Sequence, residues 1–242
     1  MSEYPKPDAI VDVVLLTLHA DTLCVFLARR DREPFKGAWA LPGGFIHVVD
    51  KDGVEEDEDV EDTARRVLRE KVGIVAPYLE QLYTFSGRKR DDRGWTLSVC
   101  HFALVPGALL AAPAATGAET ALFPVDMLPY DLPFDHEAMI AMAVRRVRGK
   151  SSYTSLPLFL LPEEFTLPEL QDVYARVLDK EIPTSETKSF RRKILDQGFV
   201  EEIPGRMSTP RIGRPAQLYR ASSDELSQVR PSAPLARIAS AR

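Results

Sequence analysis

The chain has 242 residues, 45% hydrophobic and 28% charged, with a net charge of -5. That length exceeds the usual single-domain size of about 100 to 200 residues, so two modules are expected, and the composition excludes a largely disordered, collagen-like or coiled-coil protein. The start lacks an apolar leader, Pro106 and Pro113 break the most apolar stretch, residues 102–115, and Cys24 and Cys100 are too few for a disulfide framework, so a cytoplasmic protein with no membrane partner is expected.

Residues 10–18 and 22–28 are apolar, β-branched runs across the polar turn His19-Ala20-Asp21, and read as a hairpin or adjacent strands. Residues 59–72 carry Val60, Ala64, Val67, Leu68 and Val72 at helical spacing, closed by Gly73. Residues 79–85 and 95–105 repeat the strand signal across the turn 87–94, and 121–124 add a short strand. Residues 135–149 form a second amphipathic helix, with Arg145, Arg146 and Arg148 suited to its C-terminal end. Strands and helices interleave in an α/β (α+β) fashion over residues 1–150, where the first domain is expected to end. Over residues 151–221 helices with short turns follow, and no further long strand is expected. Thr166 is an N-cap ahead of Pro168, and Leu170, Val173, Tyr174 and Val177 mark a helix over 167–178. After the turn 179–183, Thr184 is read as capping a helix that runs to Asp196 and stops at Gly198. Phe199-Val200 and Gln217-Leu218-Tyr219 are short strand candidates flanking a Gly/Pro/Arg loop, 204–215, which completes a winged helix-turn-helix. The Ser/Ala/Pro-rich residues 222–242 are expected to be poorly ordered.

The most informative stretch is Trp39-Ala40-Leu41-Pro42-Gly43-Gly44-Phe45, followed by Arg65-Arg66-Val67-Leu68-Arg69-Glu70-Lys71-Val72-Gly73-Ile74. It resembles the Nudix box, G-x5-E-x7-R-E-U-x-E-E-x-G-U with U apolar. In that motif carboxylates at i, i+3 and i+4 lie on one helical face and gather a hard divalent cation against a nucleoside diphosphate. Gly44, Glu58, Arg66, Leu68, Glu70, Gly73 and Ile74 keep the frame, but Val67 and Lys71 stand where the motif has Glu, leaving Glu70 alone of three metal carboxylates. An apolar group and a cation cannot replace two anions around a dication, so no metal and no catalytic residue are assigned. Thirteen residues also separate Gly44 from Glu58 where the motif has five. This acidic insertion can misplace Glu58 or form a solvated loop. Pro42-Gly43-Gly44 still lets a ligand approach the backbone, and Arg29, Arg30, Arg66 and Arg93 are candidate phosphate or ribose partners. Arg93 is the strongest of these, on its turn between strands. Trp39 and Phe45 are read first as core, with ligand stacking the alternative. His136 is assigned to capping and packing.

Residues 1–150 hold 18 Lys+Arg against 24 Asp+Glu, whereas 184–220 hold 8 against 4. A local basic excess in an acidic protein suits a polyanion. With Phe190 and Ile194 buried, Ser185, Ser189 and Arg192 face outward, flanked by Lys188, Arg191 and Lys193; Arg206, Arg211 and Arg214 populate the wing.

A degenerate Nudix domain followed by a winged helix resembles the NrtR family of Nudix-related transcriptional regulators of NAD metabolism. Its particular marks are residues 66–71, Asp92-Arg93-Gly94-Trp95, Phe134-Asp135-His136, Phe190-Arg191-Arg192-Lys193 and residues 213–220. The resemblance implies a homodimeric repressor of NAD biosynthesis or salvage genes on palindromic double-stranded operator DNA. It also implies an effector, commonly ADP-ribose, that occupies the former hydrolase site and releases DNA, with no cofactor required. Two other functions stay open: a working Nudix hydrolase of ADP-ribose or a sugar nucleotide with an accessory C-terminal domain, against which Val67 and Lys71 speak, and a protein-interaction scaffold.

Overall fold

A computed structural model describes residues 6–47, 58–111, 117–209 and 214–223. Strand β1 (Asp8–His19) organises the first half because it is apolar on both faces. One of its edges is shared: Leu16 to His19 pair antiparallel with β2 (Thr22–Arg29), while Ile10 to Asp12 pair antiparallel with β4 (Gly43–Phe45). Its other edge pairs in parallel with β6 (Thr96–Leu104), which carries β5 (Tyr78–Gly87) outside it. The short β3 (Trp39–Ala40) and β7 (Thr120–Pro124) both pair with β2. The expected strands are present, whereas β3 and β4, two and three residues long, are too short to show an alternating pattern.

Helix α1 (Val60–Val67) covers one face of the sheet, where Val11, Val13 and Leu15 meet Ala64, Val67 and Leu68. Asp59 caps it by accepting hydrogen bonds from the Glu61 and Asp62 amides, both at 2.8 Å. The regular helix expected to reach Val72 instead widens into a π-turn over Leu68–Val72, closed by Gly73 at φ 87°. Helix α2 (His136–Ser151) covers the opposite face, where Val14 and Leu16 meet Met139, Ile140 and Ala143. The period of two along β1 thus sends alternate side chains to different helices.

The α2-side core does not end with the first domain. Leu156–Leu160, a buried 3-10 turn, carries it into the second half, made of β8 (Phe165–Thr166), α3 (Leu167–Leu178), α4 (Thr187–Asp196), β9 (Val200–Met207) and β10 (Gln217–Ala221). Thr166 and Glu169 form a reciprocal capping box at the start of α3. Three sequence expectations are corrected here. Thr184 opens a 3-10 turn, Thr184–Glu186, and α4 starts at Thr187 without a side-chain cap. Strand β9 is eight residues long and runs through Pro204-Gly205 into the expected loop, because β10 supplies it with a partner. The missed β8 pairs with β10 to complete a three-stranded sheet. The acidic insertion at 48–57 and the tail beyond 223 lie outside the described residues.

Candidate effector cleft and nucleic-acid interface

The candidate site lies where β1 passes from β2 to β4. Gly43 packs tightly on its neighbours: a Cβ there would stand 2.1 Å from Asp12 Oδ1 and 3.0 Å from the Val11 carbonyl oxygen, so any larger residue would displace the Asp12 carboxylate. At Gly44 a Cβ would meet Val67 Cγ2 at 3.2 Å. Val67, fully buried, therefore belongs to the core beneath the glycine loop, which explains an apolar residue at this box position. Asp12 is itself buried beside the loop and accepts a 2.7 Å hydrogen bond from Ser98 Oγ. Around it stand Arg90 Nη2 at 3.9 Å and His136 Nε2 at 3.8 Å. His136 Nδ1 accepts from the Leu41 amide at 3.2 Å, and burial pushes its pKa down to about 4, so the neutral ring packs and ties the loop to α2, whereas the capping also expected of it is absent: Asp135 holds the N-cap position and no side chain caps the helix.

Glu58 is not misplaced by the insertion. Arg66 grips it through Nε at 2.7 Å and Nη2 at 3.0 Å, and the His47 amide and Thr63 hydroxyl each donate to it at 2.9 Å. Chiefly through Arg66, its carboxyl is held down at about 2. Arg66 also donates to the Phe45 carbonyl at 2.8 Å and reaches Glu70 at 3.4 Å. This corrects the expectation that Arg66 stands free for a phosphate: its donors are engaged inside the protein. Glu70 leans toward Arg66 with its side chain 59% exposed, and Lys71 turns inward to donate through Nζ to the Gly43 carbonyl oxygen. The divalent cation that a Nudix box ordinarily holds does not fit these residues. No cluster of three metal-binding side chains occurs among the described residues, and an ammonium sits on the loop.

The site is rich in cations instead. Lys71, Arg30, Arg32 and Arg93 act on one another electrostatically: burial first, then Arg93 and Arg32, lower the Arg30 pKa, and burial first, then Arg32, lowers that of Lys71. Arg30 is braced by the Pro34 carbonyl at 2.8 Å and lies 5.2 Å from the Phe134 ring centre. Arg93 stands 6.0 Å from the ring centres of both Phe45 and Phe134, held by Asp91, whose carboxyl it keeps below the usual range. Phe45 is 46% exposed, which corrects its first assignment to the core. Arg29 and Trp39 are drawn into structure: the guanidinium lies 4.4 Å from the indole, donates to the Gly37 carbonyl at 2.6 Å and pairs with Glu119, while Trp39 packs edge-on against Phe123. The structure therefore brings Arg30, Gly43, Gly44, Phe45 and Arg93 together, ties Arg66 to the Phe45 carbonyl, and engages Arg29, Trp39 and Glu70 with other partners. Sequence reading missed Asp12, Arg32 and Arg90, and noted Phe134 only as a family mark, not as a ring beside Arg30 and Arg93. Asp12 did leave a signal, a lone carboxylate inside an apolar strand, as did Arg90 in the basic run Arg88-Lys89-Arg90.

In the second half, Phe190 and Ile194 are buried and Phe190 packs edge-on against Tyr174 of α3, at 5.4 Å between ring centres. That orientation leaves Ser185, Lys188, Ser189, Arg191 and Arg192 exposed along one side of α4 and its lead-in turn, with Lys193 half-buried. In the wing, Arg206 pairs with Glu164 at 2.6 Å yet keeps its side chain 60% exposed, and Arg214 is exposed. Arg211 lies outside the described residues. Between the halves, Arg148 of α2 reaches Asp126 at 3.8 Å and Asp179, at the end of α3, at 3.6 Å. No helix among the described residues is long and apolar enough to cross a membrane.

Residues 6–143 match the model of the NUDIX domain, and residues 157–221 that of the NrtR DNA-binding winged helix domain. The ADPR responsive transcriptional repressor NtrR of Acinetobacter baylyi is 37% identical over 220 residues, 90% of this chain and 84% of that protein. An ADP-ribose pyrophosphatase of Methanocaldococcus jannaschii is 35% identical over 126 residues, 52% of this chain and 68% of that protein. Shewanella oneidensis NrtR, in a crystal structure with a 27mer DNA, is 38% identical, with 93% of this chain and 99% of that chain covered at a TM-score of 0.78. Both modules and a relative spanning nine-tenths of its length agree with the geometry, and the chain belongs to the NrtR family of Nudix-related transcriptional regulators.

Proposed function

We propose that this protein is a transcriptional repressor of NAD biosynthesis or salvage genes, whose hold on its operator is released by ADP-ribose or a related nucleotide. The observation that carries this reading is the union, in one chain, of a glycine loop surrounded by cations with a winged helix whose second helix turns a basic, polar side to solvent. The relative named for a response to ADPR covers most of the chain and supports the effector, and the DNA-bound neighbour supports the partner. The Nudix-like effector domain occupies residues 1–150 and the DNA-binding domain 151–221. Arg30 and Arg93 take the ligand's phosphates, Gly43 and Gly44 let it approach the backbone, and Phe45 offers a face for stacking. The site binds without hydrolysing, since Glu58 is committed to Arg66 and Glu70, the one box carboxylate left beside Val67 and Lys71, also reaches Arg66.

On DNA, Ser185, Ser189 and Arg192 reach base edges in the major groove, while Lys188, Arg191, Lys193, Arg206, Arg211 and Arg214 take phosphates or the minor groove. A homodimer sets two such helices about 34 Å apart on a palindromic operator. Release follows by linkage: ligand favours a geometry in which the two helices no longer match the half-sites. The unbroken core from α2 to α4 and the Arg148 pairs with Asp126 and Asp179 are the route for that change. The test is fluorescence anisotropy on the protein's own upstream DNA at fixed salt, titrated with ADP-ribose while AMP release is monitored. Specific binding reversed by intact ADP-ribose is expected. Equal affinity with and without ligand refutes the regulatory reading, and turnover of the ligand favours the hydrolase.

A further inference from the structure

We infer that Lys71 is a built-in substitute for a divalent cation: its ammonium, seated on the Gly43 carbonyl oxygen among Arg30 and Arg32, meets the diphosphate of the effector, so that effector binding needs no metal ion. This inference rests on the nucleotide-effector reading and deepens it.

Three observations converge. First, the oxygen that Lys71 engages belongs to Gly43, in the glycine loop whose missing Cβ atoms let it pack closely on Asp12 and Val67. An ammonium has three donors, so one bond to Gly43 leaves two for phosphate oxygens. Second, the residues that could have gathered a dication are committed elsewhere: Glu58 to Arg66, Thr63 and the His47 amide, Glu70 to Arg66, and Val67 to the core beneath Gly44. Third, Lys71 is half-buried and feels the repulsion of Arg32 and Arg30, only partly offset by Asp12 and Asp31, an arrangement that an arriving polyanion relieves. The exchange also changes the chemistry. An ammonium neutralises phosphate charge but offers no coordination site from which a water could be activated, so a lysine here favours retention of the anhydride over its cleavage.

The test is isothermal titration of the full chain with ADP-ribose and, in parallel, with inorganic pyrophosphate, each in EDTA and in excess magnesium. The expected result is an affinity that differs by less than about twofold between the two media. Lys71→Met should lose about tenfold to a hundredfold in both, as expected for a charge-assisted contact, and Lys71→Arg should retain most of the affinity. Circular dichroism melts of each variant report whether the fold persists. An affinity that rises tenfold or more on adding magnesium, or a folded Lys71→Met variant that binds like wild type, overturns the inference. If ADP-ribose fails to bind in either medium, the effector reading falls. Pyrophosphate binding that is metal-independent and sensitive to Lys71 then sustains the lysine's role, and pyrophosphate that does not bind, or binds only with magnesium, overturns it.

Discussion

Replacing Glu58 with Gln separates the structural use of the box carboxylate from a catalytic one. Arg66 and its partners hold the Glu58 carboxyl at about 2 against its ordinary 4.5. At 1.36 kcal/mol for each pH unit, this corresponds to an upper limit of about 3.4 kcal/mol favouring the folded carboxylate. The Glu58 and Arg66 side chains keep 12% and 13% exposure, and solvent screening along this rim brings the expected figure to about 1.5 to 3 kcal/mol. Because the folded value is depressed, the stabilisation is complete above about 4.5 and is lost as pH falls through about 2. Urea titrations followed by the fluorescence of Trp39 and Trp95, both in the sheet domain, read that domain directly. Glu58→Gln should lower the midpoint at neutral pH, and the gap from wild type should narrow below about 4.5. ADP-ribose affinity should change little. A stability gap of the same size in neutral and strongly acidic solution, or no gap at all, would refute the assignment of Glu58 to the fold.

Gly43→Ala forces a Cβ to within 2.1 Å of Asp12 Oδ1 and 3.0 Å of the Val11 carbonyl. A loss of about 1 to 3 kcal/mol in stability and a collapse of ADP-ribose binding are expected in melts and calorimetry, and wild-type binding would show that the loop tolerates the shift. His136, buried neutral with its pKa depressed from 6.5 to about 4, contributes stability that is full above 6.5 and lost as pH falls through 4; His136→Gln should flatten that part of the stability profile. Arg192→Ala should weaken operator binding by about 1 to 3 kcal/mol with relaxed sequence preference, whereas Arg214→Ala should weaken all DNA alike and reduce the salt slope by about one. Anisotropy across a salt series separates the two, and identical profiles would remove the distinction between base-reading helix and phosphate-holding wing. Arg148→Ala breaks the pairs with Asp126 and Asp179. It should leave operator affinity near wild type but shrink the ADP-ribose effect on it by about fivefold or more, and an unaltered effect would place the coupling elsewhere.

Much of this molecule is local and therefore legible in one dimension. The apolar runs of β1, β2, β5 and β6 and the period of α2 state which residues are buried, because burial follows alternation or helical spacing. Thr166, Pro168 and Glu169 mark the start of α3 through contacts made within three residues of one another. The glycine pair, the altered box and the basic helix likewise carry their chemistry in residue type and spacing, and together they were sufficient to reach the family.

What the sequence could not settle depends on partners distant along the chain. Arg66 and Arg93 are both arginines near the box and both hold a carboxylate, but only the fold shows that Arg66, on Glu58 and the Phe45 carbonyl, is 13% exposed, whereas Arg93, on Asp91, keeps 43% exposure beside Phe45 and Phe134. Lys71 reads as a residue that repels a metal; its seat on Gly43, 28 residues away, makes it a cation within the site. The length of β9 was hidden because Pro204 and Gly205 signal a loop, and the pairing with β10 overrides that preference. Asp12 acquires its neighbours Ser98, Arg90 and His136 from three separate segments. Residue type, periodicity and capping are local properties, whereas the availability of a charge depends on which distant groups already hold it, and that is decided only when the chain has packed.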